Sequence, residues 1–226
     1  MTACGDKGKD NGEKFDPEND WLTITANTID DLNKLATVHD ELFPREECPD
    51  GMVCPQLGLA RGYIRNVVVR GNLDELYLEG NNKLDRTTIA VYEGIYNLDL
   101  SQTKLKTLTF KVFPTKVKSV VLPETLVDMG AAFWGCSELG VMEIPKNVAT
   151  IHDYNFSGLN EFFAGVIINT ATPPEILYAK DLSGGSEQTY PPVYPKSAWR
   201  LIVPAGSLDA YMAHEWWGRF GVFSEK

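Results

Sequence analysis

The sequence predicts a solenoid: short parallel strands stacked one per repeat, an irregular convex side, and a cap at each end. Three observations predict it. Apolar residues recur every 22 positions through the middle of the chain. Within each unit they alternate as on a half-buried strand. The flanking sequences read as caps, which a solenoid needs because an open end would expose apolar surface and an unpaired strand edge.

The period is read in columns. Leu73, Ile95, Val117 and Leu139 form one; Leu76, Leu98, Val120 and Met142 a second; Leu78, Leu100, Leu122 and Ile144 a third. Asn81, Thr103, Thr125 and Asn147 form the fourth, so the unit is L-x-x-L-x-L-x-x-N/T. Residues two apart on a strand share a face, so the second and third columns point into a common interior. The Asn or Thr can hydrogen-bond backbone groups where the chain leaves the strand. A unit this small cannot bury its apolar face alone, and stacked neighbours supply the missing surface. The expected fold is a leucine-rich-repeat solenoid, a right-handed β/α superhelix with N- and C-terminal caps.

Taken in order, residues 1–20 are polar, charged and glycine-containing, with Phe15 the one large apolar side chain, and read as a flexible tether. Residues 21–70 read as the N-terminal cap. "WLTITA" alternates like a strand. "TIDDLNKLATVHDEL" is a helix capped by Thr28 and Asp31, with Ile29, Leu32, Leu35 and Leu42 on its apolar face and His39 on its polar side. "YIRNVVVRG" is a second strand leading into the array. The array itself spans 71–172. Residues 173–226 are a C-terminal loop and capping segment, in which Ser207 caps a helix presenting Leu208, Tyr211, Met212 and Trp216 on one face. The Trp216–Trp217 pair reads as cap packing rather than a sugar platform. The Gly/Pro/Tyr loop around Tyr190 is long enough to be a contact site.

Three apparent motifs in "VVLPETLVDMGAAFWGCSEL" dissolve into the repeat. Leu122-Pro123-Glu124-Thr125 is a strand end and turn, since a sortase signal needs a following Gly. Cys136 and Phe133 occupy inward positions, which leaves Trp134 to face water.

The later coils carry a more specific pattern. Leu122-Pro123, Leu126, Met129-Gly130, Ala132-Phe133, Cys136 and Leu139 resemble the BspA-type leucine-rich repeats of Bacteroides-like surface proteins. The next coil departs from it, with His152 for the Gly, Asn155 for the Ala and Leu159 for the Cys. "TPP", "VPAGS" and the Trp-bearing end resemble the closing segment of that family. "TAC" before "GDKGKD" resembles the cleavage box of bacterial lipoproteins, which implies lipidation of Cys4. The positive and apolar regions of a signal peptide do not precede it here, so a late start and a chance thiol stay open. The resemblance implies an outer membrane-anchored protein at the cell surface or in the periplasm.

A net charge of -10 argues against a nucleic-acid partner. Cys48 and Cys54 flank a Pro-Asp-Gly turn that could bring their sulfurs together in an oxidising compartment, and whether they pair stays open. They make a poor zinc site, because His39, His152 and His214 lie far apart in sequence. No Gly-rich phosphate loop, nucleophile elbow or H-E-x-x-H occurs, and no carboxylate pair stands out among 31 acidic residues, so no enzyme, metal or cofactor is expected. The resemblance implies a non-enzymatic adhesion module that binds a protein partner on its repeat face. The alternative is a glycan-binding accessory lipoprotein using exposed aromatics such as Tyr77, Trp134 or Tyr190. On strand geometry that face carries Glu75, Tyr77, Glu79, Asn97, Asp99, Ser101 and Glu143, with Ser119, Val121, Pro123, Val141 and Pro145 completing its columns. It is expected to be acidic at one end and apolar near the prolines.

Overall fold

The computed structural model describes residues 6–7, 15–16, 18–42, 64–78, 83–178 and 191–226. Cys4, Cys48, Cys54, Glu79, Asn81 and Tyr190 lie outside the described residues. The strands are β1 (Asp6–Lys7), β2 (Trp21–Thr25), β3 (Asn66–Arg70), β4 (Asn97–Gln102), β5 (Ser119–Val121), β6 (Val141–Ile144), β7 (Thr150–His152), β8 (Gly165–Ile168), β9 (Glu175–Leu177), β10 (Arg200–Val203) and β11 (Val222–Glu225). The helices are α1 (Lys34–Leu42), α2 (Arg86–Tyr92) and α3 (Leu208–Ala213).

Two parallel runs, β2-β3-β4-β5 and β6-β8-β10-β11, form one side of the molecule, with β1 antiparallel on the outer edge of β2. A single backbone bond recurs down this side and joins the runs. Tyr96 N donates to Arg65 O, Lys118 N to Tyr96 O, Gly140 N to Lys118 O, Ala164 N to Gly140 O and Arg200 N to Ala164 O. A second, thinner ladder lies on the return path: Thr107 bridges Asp128, Asp128 bridges Thr150, and β7 pairs with β9. The core fills the space between. Leu22 and Ile24, Val67 and Val69, Leu98 and Leu100, Val120 and Leu122, Met142 and Ile144, Val166 and Ile168, and Leu201 and Val203 are buried from the strand side. Leu108, Met129, Ile151 and Ile176 are buried too, on or beside the return ladder. The backbone of Gly165 approaches β10 so closely that a Cβ there would collide with the Arg200 carbonyl, and its φ of +147° disfavours any other residue.

The step between successive strands is not uniform. From β4 to β5 it is 22 residues, as the Asn97–Ser119 pair shows, but from β3 to β4 it is 31, as Asn66 beside Asn97 shows. The additional residues include α2, whose N-cap Asp85 accepts from Thr88 N at 2.7 Å. The strand expected at Leu76 and Leu78 is therefore absent. Residues 73–78 bury Leu73 and Leu76 but pair in no sheet, and β3 takes the place beside β4.

Other expectations need correction. Within the segment read as a tether, Phe15 packs on the core, and Asn66 Nδ2 donates to the carbonyls of Glu18 and Asp20. His39 is buried at 2% exposure rather than on a polar face. A 3₁₀ turn over Ile29–Asn33 changes the phase of the following helix, and α2 packs against α1, which widens the buried arc. Asp31 does hold the start of that turn, accepting from Asn27 N at 2.8 Å and Thr28 N at 3.2 Å. At the other end Ser207 precedes α3 without a side-chain capping bond, and Met212 is exposed because α3 stops after Ala213. Trp216 and Trp217 are buried around Phe156 with Trp199 and Phe220, their indole N–H groups donating to Val193 O and Pro174 O. Neither ring can meet a sugar.

Candidate binding face

The outward side of the strands is the largest surface that the fold presents in register. Side chains between the buried pairs point away from the core. One column of Cα partners runs Thr23, Val68, Asp99, Val121, and the second run supplies Glu143, Ile167, Ile202 and Ser224. The column before it runs Trp21, Asn66, Asn97, Ser119, then Val141, Gly165, Arg200 and Val222.

Polar members of these columns are largely committed to one another. Asn97 Nδ2 donates to Asn66 Oδ1 at 2.7 Å, and Ser119 Oγ donates to Asn97 Oδ1 at 2.8 Å. Asn66 is buried at 4% exposure, so its amide is an internal tie, not a ligand group. Asp99 Oδ1 accepts from Ser101 N at 2.8 Å, which folds the carboxylate back on its own strand. Glu143 Oε1 accepts from Asn169 Nδ2 at 3.1 Å and lies 3.8 Å from Lys226 Nζ.

Apolar members are the exposed ones. Val121 and Val141 are 49% and 41% exposed on β5 and β6, and Trp21 is 45% exposed at the first strand. Ile167 and Ile202 are half-buried on β8 and β10. The centre of the face is thus apolar, with Asp99 and Glu143 set in it and Arg70, Arg200 and Lys226 near its ends.

Of the residues expected to bind ligand, Asn97, Asp99, Ser101 and Glu143 lie on strands of this side. Glu75 and Tyr77 do not. They sit on the irregular segment after β3, where Glu75 is 3.7 Å from Lys83 and Tyr77 packs partly on the core. Pro123 and Pro145 are buried rather than outward, because the chain turns inward directly after each strand: Leu126 N donates to Pro123 O and Val148 N to Pro145 O. An acidic face without bases is therefore not what the fold presents. Trp21, Val68, Ile167 and Ile202 were missed as face residues. "WLTITA" carried the signal for the first, since Trp21 alternates with buried Leu22 and Ile24.

The remaining candidates lie off this face. Trp134 is half-buried between Phe110, at 4.5 Å between ring centroids, and Tyr154, at 6.2 Å, with the Lys111 ammonium 5.8 Å above it. Its ring is a packing element more than a free platform. Cys136 is fully buried, and burial pushes its thiol up to about 12, far from a nucleophile at neutral pH. His152, in place of the repeat glycine, is buried with its Nδ1 2.9 Å from Asp153 Oδ1, and Asp153 Oδ2 accepts from Val193 N at 2.8 Å. Among the described residues no group of three His, Cys, Asp or Glu could hold a metal ion, and no helix is long and apolar enough to cross a membrane. No protein-family model matches the chain, no curated protein matches it, and no solved structure matches it.

Proposed function

We propose that the chain is a leucine-rich-repeat solenoid of the BspA type and a non-enzymatic interaction module, binding a protein partner on its strand face. In this reading Cys4 carries a lipid that anchors the domain to the outer membrane, facing the cell surface or the periplasm. One observation carries the binding role: an in-register face whose centre is exposed valine flanked by isoleucine. Val121 and Val141 lie diagonally across the adjacent β5 and β6, in neighbouring outward columns, where a solitary domain has no structural need for apolar side chains. Polar groups around them are already satisfied, which suits a partner that buries apolar area more than one that exchanges hydrogen bonds. This favours a protein over the glycan alternative, for which Trp21 is the one exposed aromatic ring on the face among the described residues.

The test offers the immobilised domain a panel of soluble extracellular-matrix proteins beside a glycan array. Val121→Glu and Val141→Glu, both at exposed positions, should abolish capture of a matrix protein without unfolding the domain. Capture on the glycan array alone would install the alternative. Matrix-protein capture that survives both substitutions would move the site off the strand face.

A further inference from the structure

The stretch from Leu100 to Pro123 contains Lys104, Lys106, Lys111, Lys116 and Lys118 and no carboxylate, in a chain of net charge -10. All five lysines are exposed, and among the described residues none lies within ion-pair distance of an acidic group. Positive charge left uncompensated in an acidic protein, and gathered on one coil, is the footprint of an anion.

The fold gives part of this charge a shape. Arg65, Tyr96 and Lys118 each sit one residue before a strand, on the coil bonds that join β3, β4 and β5. Stacking puts Arg65 on one side of Tyr96 and Lys118 on the other. The guanidinium carbon lies 4.1 Å from the ring centroid and the Lys118 ammonium 4.4 Å from it. Beside this sandwich opens a cleft of about 290 Å³ lined by Arg65, Glu93, Gly94, Tyr96, Thr115 and Lys116. Arg65 is fixed there, with Nη1 donating to Gly94 O at 3.0 Å and Nε 3.4 Å from Glu18.

We infer that this cleft takes one sugar unit bearing an oxyanion, a uronic acid or a sulfated monosaccharide, with Lys116 as its ion-pairing group. The volume is at the lower limit of ligand pockets and holds about one sugar ring. Both faces of Tyr96 carry cations, so no ring face is free to stack on a neutral sugar, and recognition falls to charge. Thr115 supplies a hydroxyl, and the Glu93 carboxyl accepts from sugar hydroxyls. Glu93 would repel an anion if ionised. Burial holds its carboxyl above the usual carboxylate range, against the opposing pull of Lys111, and that weakens the repulsion. The site shares no residue with the apolar centre of the strand face and does not depend on the role proposed for it.

Calorimetric titration at low salt with glucuronate, glucose 6-sulfate, glucose and inorganic sulfate tests this. The first two should bind and glucose should not, with inorganic sulfate weaker than glucose 6-sulfate. Lys116→Ala should weaken binding about tenfold, the loss of one charge-assisted contact. Lys118→Ala, whose ammonium lies over the Tyr96 ring and outside the cleft lining, should weaken it by less, through the local charge alone. Glu93→Gln should strengthen it severalfold by removing the repulsion, a gain that no purely structural role would produce. Lys146→Ala, whose ammonium lies by Glu124 instead, should change nothing. Glucose binding as well as glucuronate, inorganic sulfate binding as tightly as the sulfated sugar, or indifference to both lysine variants would overturn the assignment.

Discussion

Asn97 donates its side-chain amide to Asn66 across a 31-residue coil and accepts from Ser119 across a 22-residue one, so one side chain joins coils of unequal length. Asn66 in turn donates to Glu18 and Asp20 carbonyls, and the ladder runs from the N-terminal segment to β5. It is the polar counterpart of the leucine columns. Cutting it at Asn66 removes the donor to the part-buried Glu18 and Asp20 carbonyls and leaves the Asn97 amide without its acceptor. Asn66→Ala should destabilise the domain by about 2 kcal/mol, and Asn97→Ala, at a half-exposed position, by about 1 kcal/mol. Urea unfolding of the two single variants and the double variant checks this. A strictly additive double variant would mean that the 2.7 Å bond couples nothing.

Leu100 and Leu122 bury the inner face between neighbouring coils, at 1% and 6% exposure. Truncating either to Ala should destabilise by ~2–5 kcal/mol, lost transfer energy plus a cavity that coils cannot easily close. In the proposed solenoid each coil would touch only its neighbours, so the variant should also unfold with a broadened or split transition in calorimetry. A Leu122→Ala protein that melts like its parent would refute its place in the core.

Acid should destabilise the protein in two steps. His214 Nδ1 accepts from Trp216 N at 3.1 Å and Trp217 N at 3.3 Å, and burial lowers its pKa despite the opposing Glu215. A neutral ring is needed to accept, so its contribution is complete above the ordinary value of 6.5 and is lost as pH falls through the depressed one. Asp31 is held down at about 2, first by Lys34 and then by the Asn27 amide. Its contribution is complete above 3.8 and disappears as pH falls towards 2. At this surface site it is about 1 kcal/mol after allowing for solvent screening. Melting temperatures followed from pH 7 to 2 should show both losses. His214→Asn should remove the first, and Asp31→Asn the second.

If Cys4 is lipidated, the full-length gene product should incorporate labelled palmitate and fractionate with membranes. Several acyl chains at ~0.8 kcal/mol per buried methylene hold far more firmly than one. A Cys4→Ser protein that still sediments with membranes would end the lipoprotein reading.

The sequence revealed side-chain facing where strands follow one another at 22 residues. Leu98 with Leu100, Val120 with Leu122, and Met142 with Ile144 alternate in sequence and are buried in the structure. Thr103, Thr125 and Asn147 each donate a side-chain hydrogen bond to a backbone carbonyl, as their column suggested: to Leu100, Leu105 and Glu124. The apolar pattern misled at residues 73–78, because L-x-x-L-x-L reports burial and not pairing. Leu73 and Leu76 are indeed buried, but from a segment with no ladder. Helix α2, with Thr88, Val91 and Tyr92 inward, is too short for its period to stand out. The charge of the face was illegible for another reason. Lys226 is brought to Glu143 and Asn169 only by β11 closing the second run, a long-range pairing that local spacing does not encode.

The clearest disagreement between pattern and structure can be resolved by cross-linking. A uniform 22-residue period puts Tyr77 beside Asp99, whereas the ladder puts Val68 there, one strand away. Cα atoms of neighbouring strand partners fall within the range that a disulfide spans, and side chains in one outward column point the same way. In a background with Cys4, Cys48 and Cys54 changed to Ser and buried Cys136 left in place, Val68→Cys with Asp99→Cys should oxidise readily under mild conditions. The Tyr77→Cys with Asp99→Cys pair should not, because residues 73–78 pair in no sheet. Peptide mapping of the oxidised proteins distinguishes the two. Rapid closure of the 77–99 pair and none of the 68–99 pair would return Glu75 and Tyr77 to the strand face and remove Val68 from it.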